Sequence, residues 1–130
     1  DLFSQVNAES NFAGGVPSQV SGNGGMTDFI TGAYKSLNGK SFICLASTYT
    51  ERDGTVISRI TPTLDPGTIV TIPRQMVDFV ATEFGVERLT ASPTWMRVEK
   101  LINIAHPDFR DELIKEADRM RIWRFSNKQF

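Results

Sequence analysis

The feature that most constrains this chain is the run Ser21-Gly22-Asn23-Gly24-Gly25-Met26-Thr27-Asp28-Phe29, in which small residues open directly onto an apolar stripe of helical period. Met26, Phe29, Ile30, Ala33, Tyr34 and Leu37 recur at i, i+3, i+4, i+7, i+8 and i+11, so all of them fall on one side of an α-helix. Asn38-Gly39 supplies its stop. Glycine permits positive φ and close backbone approach, and the first turn of a helix carries N–H groups with no intrahelical acceptor. A loop of this kind at a helix start can hold a phosphate or an oxyanion. The spacing alone is weakly selective. It is neither the dinucleotide fingerprint nor a P-loop, because no Gly-Lys-Ser/Thr follows and no clear strand precedes it. Residues 10–25, which contain Gly14, Gly15, Gly22, Gly24 and Gly25, read equally as a flexible surface loop.

The rest of the chain alternates strand-like and helix-like segments. Residues 41–49 and 55–61 read as two strands, and Asp53-Gly54 between them is a hairpin signal that predicts an antiparallel pair. Leu64-Asp65-Pro66-Gly67 reads as a turn. Ile69-Val70-Thr71-Ile72 reads as a third strand halted by Pro73, and residues 77–82 as a fourth that ends at or just before Gly85. Ser92-Pro93 predicts an N-cap with proline at the first helical position, and a helix over 94–105 that buries Trp95 or Met96, Val98, Leu101, Ile102 and Ala105. After His106-Pro107-Asp108 a second helix aligns Phe109, Leu113, Ala117 and Met120. The expected fold is α/β, a mixed β-sheet flanked by helices, with residues 1–125 as one domain and 126–130 as a polar tail.

Few residues offer self-contained chemistry. Cys44 is the only cysteine, so no internal disulfide forms, and its apolar setting Phe42-Ile43-Cys44-Leu45-Ala46 predicts a buried small hydrophobe. His106 is the only histidine; at a helix junction it reads as a capping or packing residue rather than a general base. Glu83 follows an apolar strand and reads as a hydrogen-bonded or solvated carboxylate rather than a catalyst. Asp28 complements the positive end of a helix. No metal is expected, because the one histidine and the one cysteine lie far apart in sequence. A net charge of −1 and the lack of a long apolar run argue against nucleic-acid and membrane partners and for a cytoplasmic setting.

Several segments together resemble one family. They are Gln5-Val6-Asn7-Ala8-Glu9-Ser10, the glycine run from Ser21 to Phe29, Ser58-Arg59-Ile60-Thr61-Pro62, Val80-Ala81-Thr82-Glu83-Phe84-Gly85-Val86, and Ile104-Ala105-His106-Pro107-Asp108-Phe109-Arg110. In this order they resemble the carboxy-terminal domain of the acetyl-CoA hydrolase/transferase family, which includes 4-hydroxybutyrate CoA-transferases, over about residues 1–116. The resemblance implies a CoA-transferase-like domain of the NagB/RpiA/CoA transferase type. It also implies CoA transfer between an acyl-CoA and a short carboxylate through a glutamyl-CoA intermediate. The nucleophilic glutamate of that family sits in an upstream motif, and Glu9, Glu51, Glu83 and Glu87 match no position of it. Gly22, Asn23, Gly24 and Gly25 fall on the family's glycine element that contacts CoA, with the Gly25 N–H as the oxyanion donor. Lys40 is the candidate lysine that meets CoA, and Lys35 a second choice.

The family's pattern carries Asp-Leu-Thr-Gly-Gln where this chain has Asp1-Leu2-Phe3-Ser4-Gln5, and Leu-Arg-Gly-Lys where it has Leu89-Thr90-Ala91-Ser92. It also carries Glu-Tyr-Gly in place of Glu83-Phe84-Gly85. The expected partners are an amino-terminal CoA-transferase domain and further copies in a homo-oligomer. A chain that begins at Asp1 without Met reads as part of a longer polypeptide, so its apolar interdomain surface is expected to promote self-association. A thioester hydrolase that uses water as acceptor, and a CoA-binding domain without activity, are the alternatives.

Overall fold

In the computed structural model the described residues are 1–13 and 16–123, so Gly14, Gly15 and the tail 126–130 lie outside them. A three-stranded mixed sheet forms the centre. Strand β3 (Phe42–Cys44) pairs parallel with β6 (Phe79–Thr82), which pairs antiparallel with β7 (Gly85–Arg88). The register aligns Ile43 with Val80 and Val80 with Glu87, and on the opposite face Phe42 with Phe79 and Phe79 with Arg88. Side chains alternate across a strand, so Val80 joins the core while Phe42 stacks on Phe79 at 4.7 Å in a row that stays half exposed. Two hairpins stand outside this sheet: β1 (Ser10–Ala13) with β2 (Val16–Gln19), and β4 (Thr48–Thr50) with β5 (Val56–Ser58).

The helices divide into two groups. Helix α2 (Thr94–Asn103) and helix α3 (Pro107–Arg119) follow the sheet in sequence; α2 packs on β7 and α3 on α2. Their buried Val98, Leu101, Ile102, Leu113 and Ala117 join Ile104, Ala105, Val77, Val80 and Leu89 in one core. His106 starts α3: its Nδ1 accepts from the Asp108 N–H at 3.3 Å, and Pro107, which has no N–H to leave unpaired, takes the first helical position. Helix α1 (Met26–Lys35) forms as its apolar period requires, but only Ile30 is buried; Phe29 and Tyr34 are 82% and 53% exposed, and Leu37, in the turn just beyond the helix, 95%.

Several expectations are corrected. Part of the glycine-rich residues 10–25 is not loop, because β1 and β2 pair there. The apolar run over 41–49 is two strands with different partners: β3 joins β6, and β4 turns away to meet β5 across Gly54, whose φ is 91°. Ile69-Val70-Thr71-Ile72 is not a strand; Ile72 makes one isolated bridge with Val6. Strand β6 ends at Thr82, ahead of Gly85 as read, but Gly85 then begins a further strand, β7, at φ 147°. Pro93 is itself the cap position of α2 and Thr94 its first residue, while the Ser92 hydroxyl accepts from Lys100 Nζ at 3.0 Å. Cys44 is exposed rather than buried, because nothing covers the outer face of β3 among the described residues.

Candidate functional site

The glycine loop is anchored at its entry and open at its exit. The Val20 and Ser21 N–H groups donate to the Glu9 carbonyl at 2.8 and 3.3 Å, tying the loop to the foot of the β1–β2 hairpin. Residues 21–25 are then all exposed. Gly24 adopts φ 57°, a conformation that costs a side-chain-bearing residue about 1–2 kcal/mol. Gly22 faces open space, and a Cβ on Gly25 would meet the Phe29 ring at 3.4 Å. Gly25 is the cap residue of α1, and no side chain caps that helix. The first helical bond runs from the Phe29 N–H to the Gly25 carbonyl at 3.0 Å, so the amides ahead of Phe29 have no intrahelical acceptor. Asp28 lies in this first turn. The loop therefore presents uncovered N–H groups at the positive end of a helix dipole.

Six residues join α1 to β3, and the two share one groove. A helix and strand joined so briefly and packed side by side run in opposite directions. The uncapped end of α1 thus lies at the same end of the sheet as the carboxyl ends of β3 and β6, where open α/β sheets bind their ligands. A shallow depression of about 330 Å³ there is lined by Cys44, Leu45, Ala46, Ala81 and Thr82. Lys40 lines the other groove with Met26, Phe29 and Ala33, five residues beyond the last residue of α1. Lys35 sits in the last turn of α1, where a cation complements the dipole. The structure therefore unites Gly22, Asn23, Gly24 and Gly25 in one loop, puts Lys35 at the opposite end of α1, and seats Lys40 in the groove that Met26 also lines.

Beyond Thr82 stands Glu83. Its carboxylate accepts from the Ser47 hydroxyl at 2.5 Å and from the Ser47 N–H at 2.9 Å. The Ser47 hydroxyl, assisted by the main-chain N–H groups of Glu83 and Ser47, holds the Glu83 carboxyl below the usual carboxylate range. Glu83 is thus the hydrogen-bonded carboxylate that its strand-end position predicted. Its partner was not foreseen: Ser47 is fully buried and 36 residues away in sequence, with no local signal of the contact. Phe84 meets the His106 ring edge-on at 5.1 Å, and Arg110 lies over Phe84 at 5.9 Å. Among the described residues no group of His, Cys, Asp and Glu suited to a metal ion is present, and no helix is long and apolar enough to cross a membrane.

Residues 1–117 match the acetyl-CoA hydrolase/transferase C-terminal domain. Over 128 residues the chain is 52% identical to butyryl-CoA:acetate CoA-transferase of Anaerostipes caccae, a stretch that covers 98% of this chain and 28% of that protein. Among solved structures it is similar to RipA from Yersinia pestis, with a TM-score of 0.78 and 40% identity over 95% of this chain and 26% of that one. It is also similar to 4-hydroxybutyrate CoA-transferase from Porphyromonas gingivalis, with a TM-score of 0.60 and 42% identity over 74% of this chain and 22% of that one. The chain spans about a quarter of the length of the relatives it matches.

Proposed function

The chain belongs to the acetyl-CoA hydrolase/transferase family, as its carboxy-terminal domain, and from that premise we propose that it forms the CoA-facing part of a CoA-transferase. The enzyme moves CoA between an acyl-CoA and a short carboxylate of the acetate, butyrate or 4-hydroxybutyrate class, in a cytoplasmic homo-oligomer. The observation that carries this reading is the exposed loop of residues 21–25 at the uncapped start of α1. A thioester carbonyl turns into an oxyanion when a carboxylate attacks it, and N–H groups fixed at that point stabilise the charge by roughly 3 kcal/mol each. The Gly25 N–H is the donor in this reading, and Gly22, Asn23 and Gly24 let the substrate approach.

The covalent steps run through a glutamate of the preceding polypeptide. Its carboxylate attacks the acyl-CoA thioester and displaces CoA thiolate, leaving an acyl-glutamyl anhydride. The thiolate then attacks the glutamyl carbonyl and releases the first carboxylate, which leaves a glutamyl-CoA thioester. The acceptor carboxylate repeats the sequence in reverse. Glu83 is poorly suited to that nucleophilic role, because the Ser47 hydroxyl and N–H already engage its lone pairs and lower its basicity. Lys40, an exposed cation, is the lysine that meets CoA in this reading.

The test is an exchange assay of the full-length polypeptide carrying this domain, with butyryl-CoA and labelled acetate. Labelled acetyl-CoA and free butyrate in equal amounts are expected. Release of free CoA that does not respond to acetate would instead assign a hydrolase. CoA binding with neither product would assign a binding domain without activity.

A further inference from the structure

We infer that the open edge of β3, with the apolar groove beside it, receives a β-strand from the polypeptide that precedes this domain in its relatives. The backbone pattern is the first reason. The Phe79 N–H donates to the Ser41 carbonyl at 3.1 Å, and the Leu45 N–H donates to the Ala81 carbonyl at 3.0 Å. In a parallel ladder the residues that bond one neighbour alternate with those that face the other side. Ser41, Ile43 and Leu45 therefore bond β6, while Phe42 and Cys44 turn their N–H and C=O groups away from it. β3 is the end strand of its sheet, and no described strand lies on that side.

The second reason is apolar surface. A groove of about 610 Å³ runs between α1 and this edge, lined by Met26, Phe29, Ala33, Phe42 and Cys44, with Lys40 at its rim. Phe29 is 82% exposed and Phe42 50%. Parallel strands are normally covered on both faces, and an exposed apolar edge without proline or bulge is a surface that natural proteins keep paired. The third reason is chain length: the matched stretch is 98% of this chain but only 28% of the butyryl-CoA:acetate CoA-transferase, so most of such a polypeptide is available to supply the strand. A strand fits better than a ligand. Phe42 and Cys44 repeat donor and acceptor about 6.8 Å apart, the spacing of an added strand.

The test is residue-resolved amide hydrogen exchange on this chain and on a version extended through the preceding polypeptide. The Ile43 amide, bonded to β6, should be protected in both. The Phe42 and Cys44 amides should exchange freely in the short chain and slow by about 100-fold or more in the extended one. Equal, fast exchange of Phe42 and Cys44 in both chains would overturn the inference. So would protection in the short chain that grows with its concentration, which would assign the edge to a second copy. Protection by added CoA alone would assign it to the substrate. None of these readouts depends on transferase activity, so the inference fails or survives separately from the proposed reaction.

Discussion

Helices α1 and α2 each have ten residues and a one-sided apolar stripe, yet their fates differ. Helix α2 buries Val98, Leu101 and Ile102 between β7 and α3, and even its Arg97 is covered, with Nη1 donating to the Arg74 carbonyl at 2.8 Å. Helix α1 buries Ile30 and leaves Phe29 almost bare, as is Leu37 in the turn that follows it. An apolar stripe states a demand for cover; whether the demand is met depends on what the same chain can place against it. In this domain the sheet, α2 and α3 close a core around themselves. The glycine loop, α1 and the outer edge of β3 form an open half whose apolar side chains and N–H groups stay uncovered among the described residues.

The largest effect that tests this contrast comes from trimming one leucine in each half, one in α2 and one in the turn that follows α1. Leu101→Ala should lower stability to urea by about 2–5 kcal/mol, because Leu101 is 4% exposed and its loss leaves a cavity. Leu37→Ala should stay within about 0.5 kcal/mol, because that side chain is 95% exposed. Equal losses would erase the distinction between the halves.

Next in size is Gly24→Val. With φ at 57° the new side chain strains the loop by about 1–2 kcal/mol, while nothing nearby is displaced. In the full-length polypeptide the thermal shift on adding CoA should vanish while the core stays intact by urea titration. An unchanged shift would separate the loop from CoA.

A smaller effect, of opposite sign, belongs to the packed half. Ser4 and Ala91 stand where the family's pattern carries glycine, and both keep the left-handed backbone that glycine would adopt, at φ 69° and 58°. Ala91→Gly should raise stability by up to about 1 kcal/mol with no effect on CoA binding. Ser4→Gly should do the same and also removes a buried hydroxyl that has no hydrogen-bond partner.

The smallest effect lies where the halves meet. The folded Glu83 carboxyl titrates below its ordinary range, so the stabilisation from its Ser47 contact is present above that range and is lost as pH falls through the folded value. Ser47→Ala should move the Glu83 midpoint upward in a carboxyl NMR titration and flatten the acid limb of the stability profile. A midpoint that does not move would show that the main-chain donors alone set it.

The sequence conveyed the packed half better than the open half. The stripe Val98, Leu101 and Ile102, the His106 cap and the Asp53-Gly54 hairpin all depend on neighbours within a few residues, and all are present as read. What escaped depends on distant partners. The split of residues 41–49 follows from β3 pairing with β6 in a register 37 residues on, and the Ser47–Glu83 contact spans 36. The exposure of Cys44 was illegible for a related reason: an apolar pentapeptide reads as buried whether or not its cover is in the same chain. In the candidate site the glycine run was legible as a unit, because its conformation is local. The seat of Lys40 in one groove with Met26 and Phe29 was not, because it depends on how β3 packs beside the helix.

The most direct trial is a crystal structure of the full-length polypeptide with a non-hydrolysable acyl-CoA analogue. The carbonyl oxygen standing in for the thioester should lie within hydrogen-bond reach, about 2.7–3.1 Å, of the Gly25 amide at the start of α1. An analogue seated elsewhere, with that amide facing bulk water, would contradict the account.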